Sequence, residues 1–320
     1  MTIVRLGYVA MSVHVKNASP SQTMTFTRFK EIPNRDAAKR KLERIAQSNL
    51  KNCLRLLQHN AAHDIHFFRL SSRLIPLADH EELTDWEYMP PLAADFEALG
   101  AYAKAHHMRL DFHPDHFVLL NSPREEVLKA SLITLKLHYK MLKAMNLNPR
   151  HRAVMHIGGA YHDKEQALET FIENWGRVPQ ALQQMIMLEN DDKSFTAEDA
   201  LYLCEKLGIP LVFDLHHHLA NHREPRWQES WERIIATWAD SPLPLKMHIS
   251  SPKSEKQFRA HHDHIEPEPF VRFLQDVRGS IDRLDCMIEA KKKDEALFQL
   301  VNDLKNVPWI TWIDGTTFEM

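Results

Sequence analysis

The sequence predicts an α/β fold, a single (β/α)8 TIM barrel with long loops on its catalytic face, spanning residues 1–320 as one domain. Three observations predict it. Short β-rich runs alternate with longer amphipathic runs from one end of the chain to the other, eight of each. No GxGxxG follows the first strand, where Gly7 stands alone, so the dinucleotide fingerprint of an open doubly wound sheet is absent. The two longest connections, 11–35 and 72–90, follow the first and second strands and therefore share one rim, where binding loops belong.

The strands are expected at 3–9, 66–70, 109–113, 153–156, 186–189, 211–214, 245–248 and 285–289. The opening MTIVRLGYVAMS alternates as a strand does, and it places Arg5 where a secretory signal would need an apolar core. The helices are expected at 36–59, 91–106, 124–145, 163–184, 197–207, 227–238, 269–277 and 294–304. In the first of them Leu42, Ile45, Leu50, Leu54 and Leu57 recur at helical spacing, with Lys and Arg on the other side. Pro91, Pro267 and Pro269 stand at or just before helix starts, where a missing N–H costs nothing.

Composition narrows the class. With 44% hydrophobic and 26% charged residues, a 320-residue chain buries a large core without staples, which excludes disorder and small disulfide scaffolds. Its three cysteines, Cys53, Cys204 and Cys286, form no CxxC pair and fit a reducing, cytoplasmic setting. No apolar run approaches the roughly 18 residues of a membrane span. A net charge of −3 argues against non-specific coating of nucleic acid, although a local basic patch is compatible with it. Histidine is the outlier, with 21 against only 8 glycines.

Those histidines fall where strands end. The third strand ends in LDFHPDHF (His113), the fourth in AVMHIGGAY (His156) and the fifth in IMLENDD (Glu189). The sixth ends in LVFDLHHH (Asp214), the seventh in PLKMHISS (Lys246, His248) and the eighth in CMIEAKKK (Glu289). In a barrel those side chains converge on one mouth. Taken singly, a strand-end histidine is more often a hydrogen-bonded structural residue, but six such coincidences favour a metal centre. Crowded carboxylates and imidazoles repel unless cations sit among them. Donors of this kind, without thiolates, suit Zn, Mn or Fe. The tract from Arg259 to His264 could add two more ligands, making up to nine, too many for one ion and enough for three. In the HHH run an extended backbone would turn His216 and His218 one way and His217 the other, so that one of the three serves as a primary ligand. His14, His59, His63, His106 and His107 are read as solvated or loop histidines, and Lys291–Lys293 as a solvated helix start rather than a DNA clamp.

With these motifs in order, LGYVAMS, HPDHF, HIGGAYHDK, LENDD, FDLHHH, KMHIS, HHDH and IEAK, the chain resembles the UV damage endonuclease family, barrel enzymes related to endonuclease IV. The resemblance implies a three-metal phosphodiesterase, manganese-loaded with zinc or cobalt as alternatives, that uses no nucleotide cofactor. It implies nicking of damaged double-stranded DNA immediately 5′ of photoproducts such as pyrimidine dimers and 6-4 photoproducts, and at abasic sites as a further substrate, leaving a 3′-hydroxyl. Carried over, His113, His156 and Glu189 are the first metal's ligands, with Glu189 bridging to a second ion held by Asp214, His248 and Glu289. His217, His261 and Asp263 hold the third. Glu189, Lys246 and His248 are the expected catalytic residues. Lys246 matches a lysine that can be carboxylated; the alternative is an unmodified ammonium on phosphate. Tyr8, His116 and Phe117 match the aromatic probe that fills the gap left by a flipped-out lesion. The chain departs from the pattern at His116, where the family has Gln, and at Ser12, where some members have Asn. Three other readings compete: a sugar isomerase or epimerase with fewer metals, an abasic-site nuclease without photoproduct activity, and a damage-binding protein that has lost catalysis.

Overall fold

The computed structural model describes residues 1–320. Eight parallel strands form the barrel: β1 (Ile3–Val9), β2 (Phe67–Arg69), β3 (Arg109–Asp111), β4 (Ala153–His156), β5 (Ile186–Glu189), β6 (Leu211–Asp214), β7 (Leu245–Ile249) and β10 (Arg283–Ile288). Adjacent strands pair in register around the ring, and the seam between β3 and β4 is closed by the bridge from Phe112 to Ala153. Two extra strands lie between β7 and β10 in sequence, the antiparallel ribbon β8 (Pro252–Ser254) and β9 (Gln257–His261). A C-terminal hairpin, β11 (Thr311–Trp312) and β12 (Thr317–Glu319), adds to the free half of β1 through Ile3, Val4 and Arg5.

The helices bury the outer faces of these strands. They are α1 (Phe26–Lys30), α2 (Arg35–Ala62), α3 (Met89–Ala105), α4 (Glu125–Ala144), α5 (Lys164–Trp175) and α6 (Gln180–Gln183). After them come α7 (Ala197–Leu207), α8 (Leu215–Ala220), α9 (Trp231–Ala236), α10 (Pro267–Val277) and α11 (Lys293–Leu304). Two predicted helices are broken. The run at 163–184 divides into α5 and α6 because Pro179 cannot donate a backbone hydrogen bond and steers Val178 out of helical geometry. The run at 227–238 is a 3-10 turn (Trp227–Ser230) followed by α9. The HHH run lies in α8 rather than on an extended strand, since the Asp214 carboxylate caps a helix there by accepting the N–H of His217 at 2.7 Å.

Inside the ring the strands' period of two sorts the side chains. Gly7 faces β2 so closely that a Cβ would lie 2.2 Å from the Phe67 carbonyl oxygen. Its register partners Phe67 and Met287 form, with Val9, an apolar group separate from the main core. A layer of buried charge also fills the interior. Arg109 bonds to Asp111 at 2.9 Å and to Asp285 at 2.8 Å, Arg5 bonds to Asp285 at 2.7 Å, and Lys246 lies 3.3 Å from Asp111. Burial would raise the Asp111 carboxyl, but Arg109, Lys246 and Arg152 hold it below the usual range. Such buried ions persist only when paired this thoroughly.

Candidate metal centre

The C-terminal ends of the strands carry the polar residues that the sequence pattern predicts there. Register puts His156 opposite Glu189 and Asp214 opposite His248 on neighbouring strands, so each pair shares a face. Glu189 is the hub. Its two oxygens lie 3.0 Å from His113 Nε2 and 2.9 Å from His248 Nδ1, with His217 Nδ1 at 3.3 Å. Three sets of donor atoms each gather within 4.8 Å: His113, His156 and Glu189; Glu189, Asp214 and His217; Asp214, His248 and Glu289. Glu189 belongs to two of these sets and Asp214 to two. A cavity of about 380 Å³ opens over them, lined in part by His113, His156, His217, His261 and Glu289.

Two further details suit the centre to cations. His113 Nδ1, His217 Nδ1 and His261 Nδ1 lie within hydrogen-bonding distance of the backbone carbonyls of Pro114, Asn190 and Glu289, at 3.1, 2.9 and 2.8 Å. Donating there leaves each Nε2 as a lone-pair donor, the arrangement by which metal-binding imidazoles are oriented. His156 Nδ1, Asp214 Oδ2 and His248 Nε2 are buried without any hydrogen-bond partner. Such orphaned atoms are costly unless something charged engages them.

The electrostatics agree. Burial, with the nearby Glu189 and Glu289 charges, pushes the Asp214 carboxyl up to about 8 despite the neighbouring His217. Burial would raise Glu189 as well, but His248, His156, His113 and His217 hold it well below the ordinary range. Burial lowers His248 to about 4. His217 goes the other way: burial would lower it, yet Asp214 and Glu189 draw it well above its ordinary value.

Not every expected residue takes its expected place. His217 joins Glu189 and Asp214, whereas Asp263 is exposed and outside all three sets, and the His261 ring stands 6.0 Å from that of His217. Of the HHH run only His217 reaches the centre. His216 bonds to Ser250 Oγ and the Phe258 carbonyl, and His218 to the Pro225 carbonyl, because helical residues point about 100° apart. Lys246 is fully buried beneath the mouth, 3.3 Å from Asp111, so its ammonium meets a carboxylate and does not line the cavity. Tyr8 needs the same correction. On β1 it faces the helices, not the lumen, and it is 0% exposed with its hydroxyl donating to Asn60 of α2 at 2.7 Å. Phe117, by contrast, is 71% exposed, its ring 4.0 Å from that of the exposed His116. His59 is not solvated but bonds to Asp294 at 3.0 Å. Arg69, which ends β2 and pairs with Glu289, was missed. Its strand-end position and lumen-facing parity with Phe67 were the signals that could have found it.

Fold and site together define a TIM-barrel protein whose strand-end rim holds a buried histidine–carboxylate cluster with donors that could bind metal. The family model described as UV-endonuclease UvdE matches residues 4–319, and the chain belongs to that family. The UV DNA damage endonuclease of Halalkalibacterium halodurans is 53% identical over 317 residues, covering 99% of this chain and 98% of that protein. The crystal structure of SacUVDE superposes with a TM-score of 0.83 at 29% identity, covering 95% of this chain and 99% of that one. Endonuclease IV from Thermus thermophilus shares the fold, with a TM-score of 0.53 at 13% identity over 89% of this chain and 91% of that one. No helix is long and apolar enough to cross a membrane.

Proposed function

We propose that this chain is a metal-dependent DNA repair endonuclease. It hydrolyses the phosphodiester backbone of double-stranded DNA 5′ of ultraviolet photoproducts, with abasic sites as a further substrate, and leaves a 3′-hydroxyl. The observation that carries the reading is the sharing of Glu189 and Asp214 among three adjoining donor sets in a chain of this family. A sugar isomerase does not need that many donors, and a binding protein without catalysis has no reason to keep mutually repelling carboxylates buried together.

His113, His156 and Glu189 would hold one cation, and Asp214, His248 and Glu289 a second, with Glu189 between them. His217 and His261, with Asp263 brought in from the loop, would hold a third. Manganese is the expected ion, with zinc or cobalt as alternatives. Divalent cations supply Lewis-acid activation of water and neutralise the charge that develops on the phosphoryl group. The chain supplies the rest. Backbone carbonyls orient His113, His217 and His261, and the Asp214 cap fixes the first turn of α8 so that His217 is held in place. Burial draws Lys246 down to about 8, which leaves at neutral pH a fraction of free amine, the form able to add dissolved CO2 and release a proton to give the carbamate that the resemblance implies. His116 and Phe117 would stack in the gap left by the flipped-out lesion.

The test is a nicking assay on a duplex carrying one defined photoproduct, with and without chelator, mapping the cut. Cleavage on the 5′ side that stops with chelator and returns with manganese is expected. Chelator-resistant cleavage, or none at a photoproduct under any metal, would overturn the reading.

A further inference from the structure

Between β7 and β10 the chain leaves the barrel wall as the β8–β9 ribbon. Almost every residue of it is exposed. Lys253, Lys256 and Arg259 lie on it, and none has an acidic partner within ion-pair distance. Glu255 is its only acid. Along β9 side chains alternate, so Arg259 and His261 share a face, and both line the cavity over the candidate metal centre. The other face shows Phe258, 38% exposed.

The ribbon is also fastened to the centre. His216, buried beside His217, bridges Ser250 Oγ at 2.6 Å and the Phe258 carbonyl at 2.7 Å, clamping one strand of the ribbon to its root. The His262 N–H donates to the Ser251 carbonyl at 2.8 Å, and the Lys291 N–H donates to the His262 carbonyl at 3.1 Å. A segment tied so firmly at its base, yet bare and basic along its length, is built to meet something negative.

We propose that the β8–β9 ribbon is a DNA-backbone arm. Arg259 holds a phosphate at the mouth of the barrel, and Lys253 and Lys256 hold phosphates of the adjoining duplex. A two-stranded ribbon has the width to follow a duplex groove, and unpaired Lys and Arg gain affinity by releasing counterions from phosphate. His216 is the positioning residue that sets the arm's distance from the metal ligands.

This role presupposes the endonuclease activity proposed above, but it is tested without cleavage. Binding of an unmodified duplex is measured in chelator across a salt series for the wild type and for Lys253→Ala/Lys256→Ala/Arg259→Ala. The log–log salt slope is expected to become shallower by about 0.9 for each phosphate contact removed. A control, Lys104→Ala/Lys206→Ala/Lys305→Ala, removes exposed cations from the C-terminal ends of α3 and α7 and from just beyond α11, at the opposite end of the barrel, and is expected to keep the wild-type slope. His216→Ala, read in the same way, is expected to fall between the two, and matching thermal melts show that the variants are folded. An unchanged slope in the ribbon variant, or an equal change in the control, would overturn the proposal. A wild-type protein that binds through the ribbon yet nicks no photoproduct would overturn the endonuclease reading and leave the arm standing.

Discussion

The Asp214 side chain accepts the backbone N–H of His217 at 2.7 Å, so one carboxylate both starts α8 and belongs to two of the three donor sets. The cap and the charge can be separated. Asn caps helices as well as Asp does but carries no charge. Asp214→Asn is therefore expected to melt at or above the wild-type temperature in chelator, since it removes a buried carboxylate crowded by Glu189 and Glu289. It is also expected to lose bound metal, read by elemental analysis. Asp214→Ala should lose both the metal and about 1 kcal/mol of stability.

Glu189 is shared by two donor sets and engaged by three imidazoles. Outer partners of metal ligands typically matter by 10–100-fold, so a shared ligand should matter more. Glu189→Gln is expected to lower nicking by about a hundredfold or more while circular dichroism stays native. Full activity in this variant would refute the assignment.

The exposed pair His116 and Phe117 should act on damaged DNA alone. Each base-stacking side chain is worth about 1–3 kcal/mol. Phe117→Ala is expected to weaken binding of photoproduct duplex by that amount with little change for intact duplex. Tyr8→Phe should do the reverse. It removes a buried hydrogen bond to Asn60, costing about 1–3 kcal/mol of stability, and leaves the ratio of damaged to intact binding unchanged.

Stability should also depend on pH through His138, buried in α4 with its Nδ1 2.9 Å from the Thr134 carbonyl. Burial lowers it to about 4, so it is neutral in the fold while the unfolded chain takes up a proton below its ordinary 6.5. Its contribution is complete above pH 6.5 and is lost as pH falls toward 4, on the order of 3 kcal/mol in all. Chemical denaturation at pH 7, 5.5 and 4.5 is expected to show this decline, and His138→Leu should flatten it by about 1.4 kcal/mol per pH unit inside that window.

The barrel and most of its rim were legible from local patterns. Apolar runs ending in His, His, Glu, Asp, His and Glu named the donors, because a strand's last inward residue must reach the mouth of a closed ring. The break at Pro179 is equally local, since a missing N–H and a restricted Val178 act wherever proline stands, whereas the short α8 depends on the Asp214 carboxylate capping a turn at the mouth of the ring. Tyr8 shows the same limit from the other side. Its strand was placed correctly, but whether it faced lumen or helix depended on the parity of β1 against β2 and β10.

By itself the sequence determined which residue types end each strand and in what order, since alternation and helical spacing are local properties of a chain. Only the tertiary structure decided that Glu189 and Asp214 would each serve two donor sets, that Arg69 would sit on Glu289, and that Lys246 would be sealed against Asp111. Those relationships join residues far apart along the chain, and they exist only where ring closure brings strand ends within a few ångströms of one another.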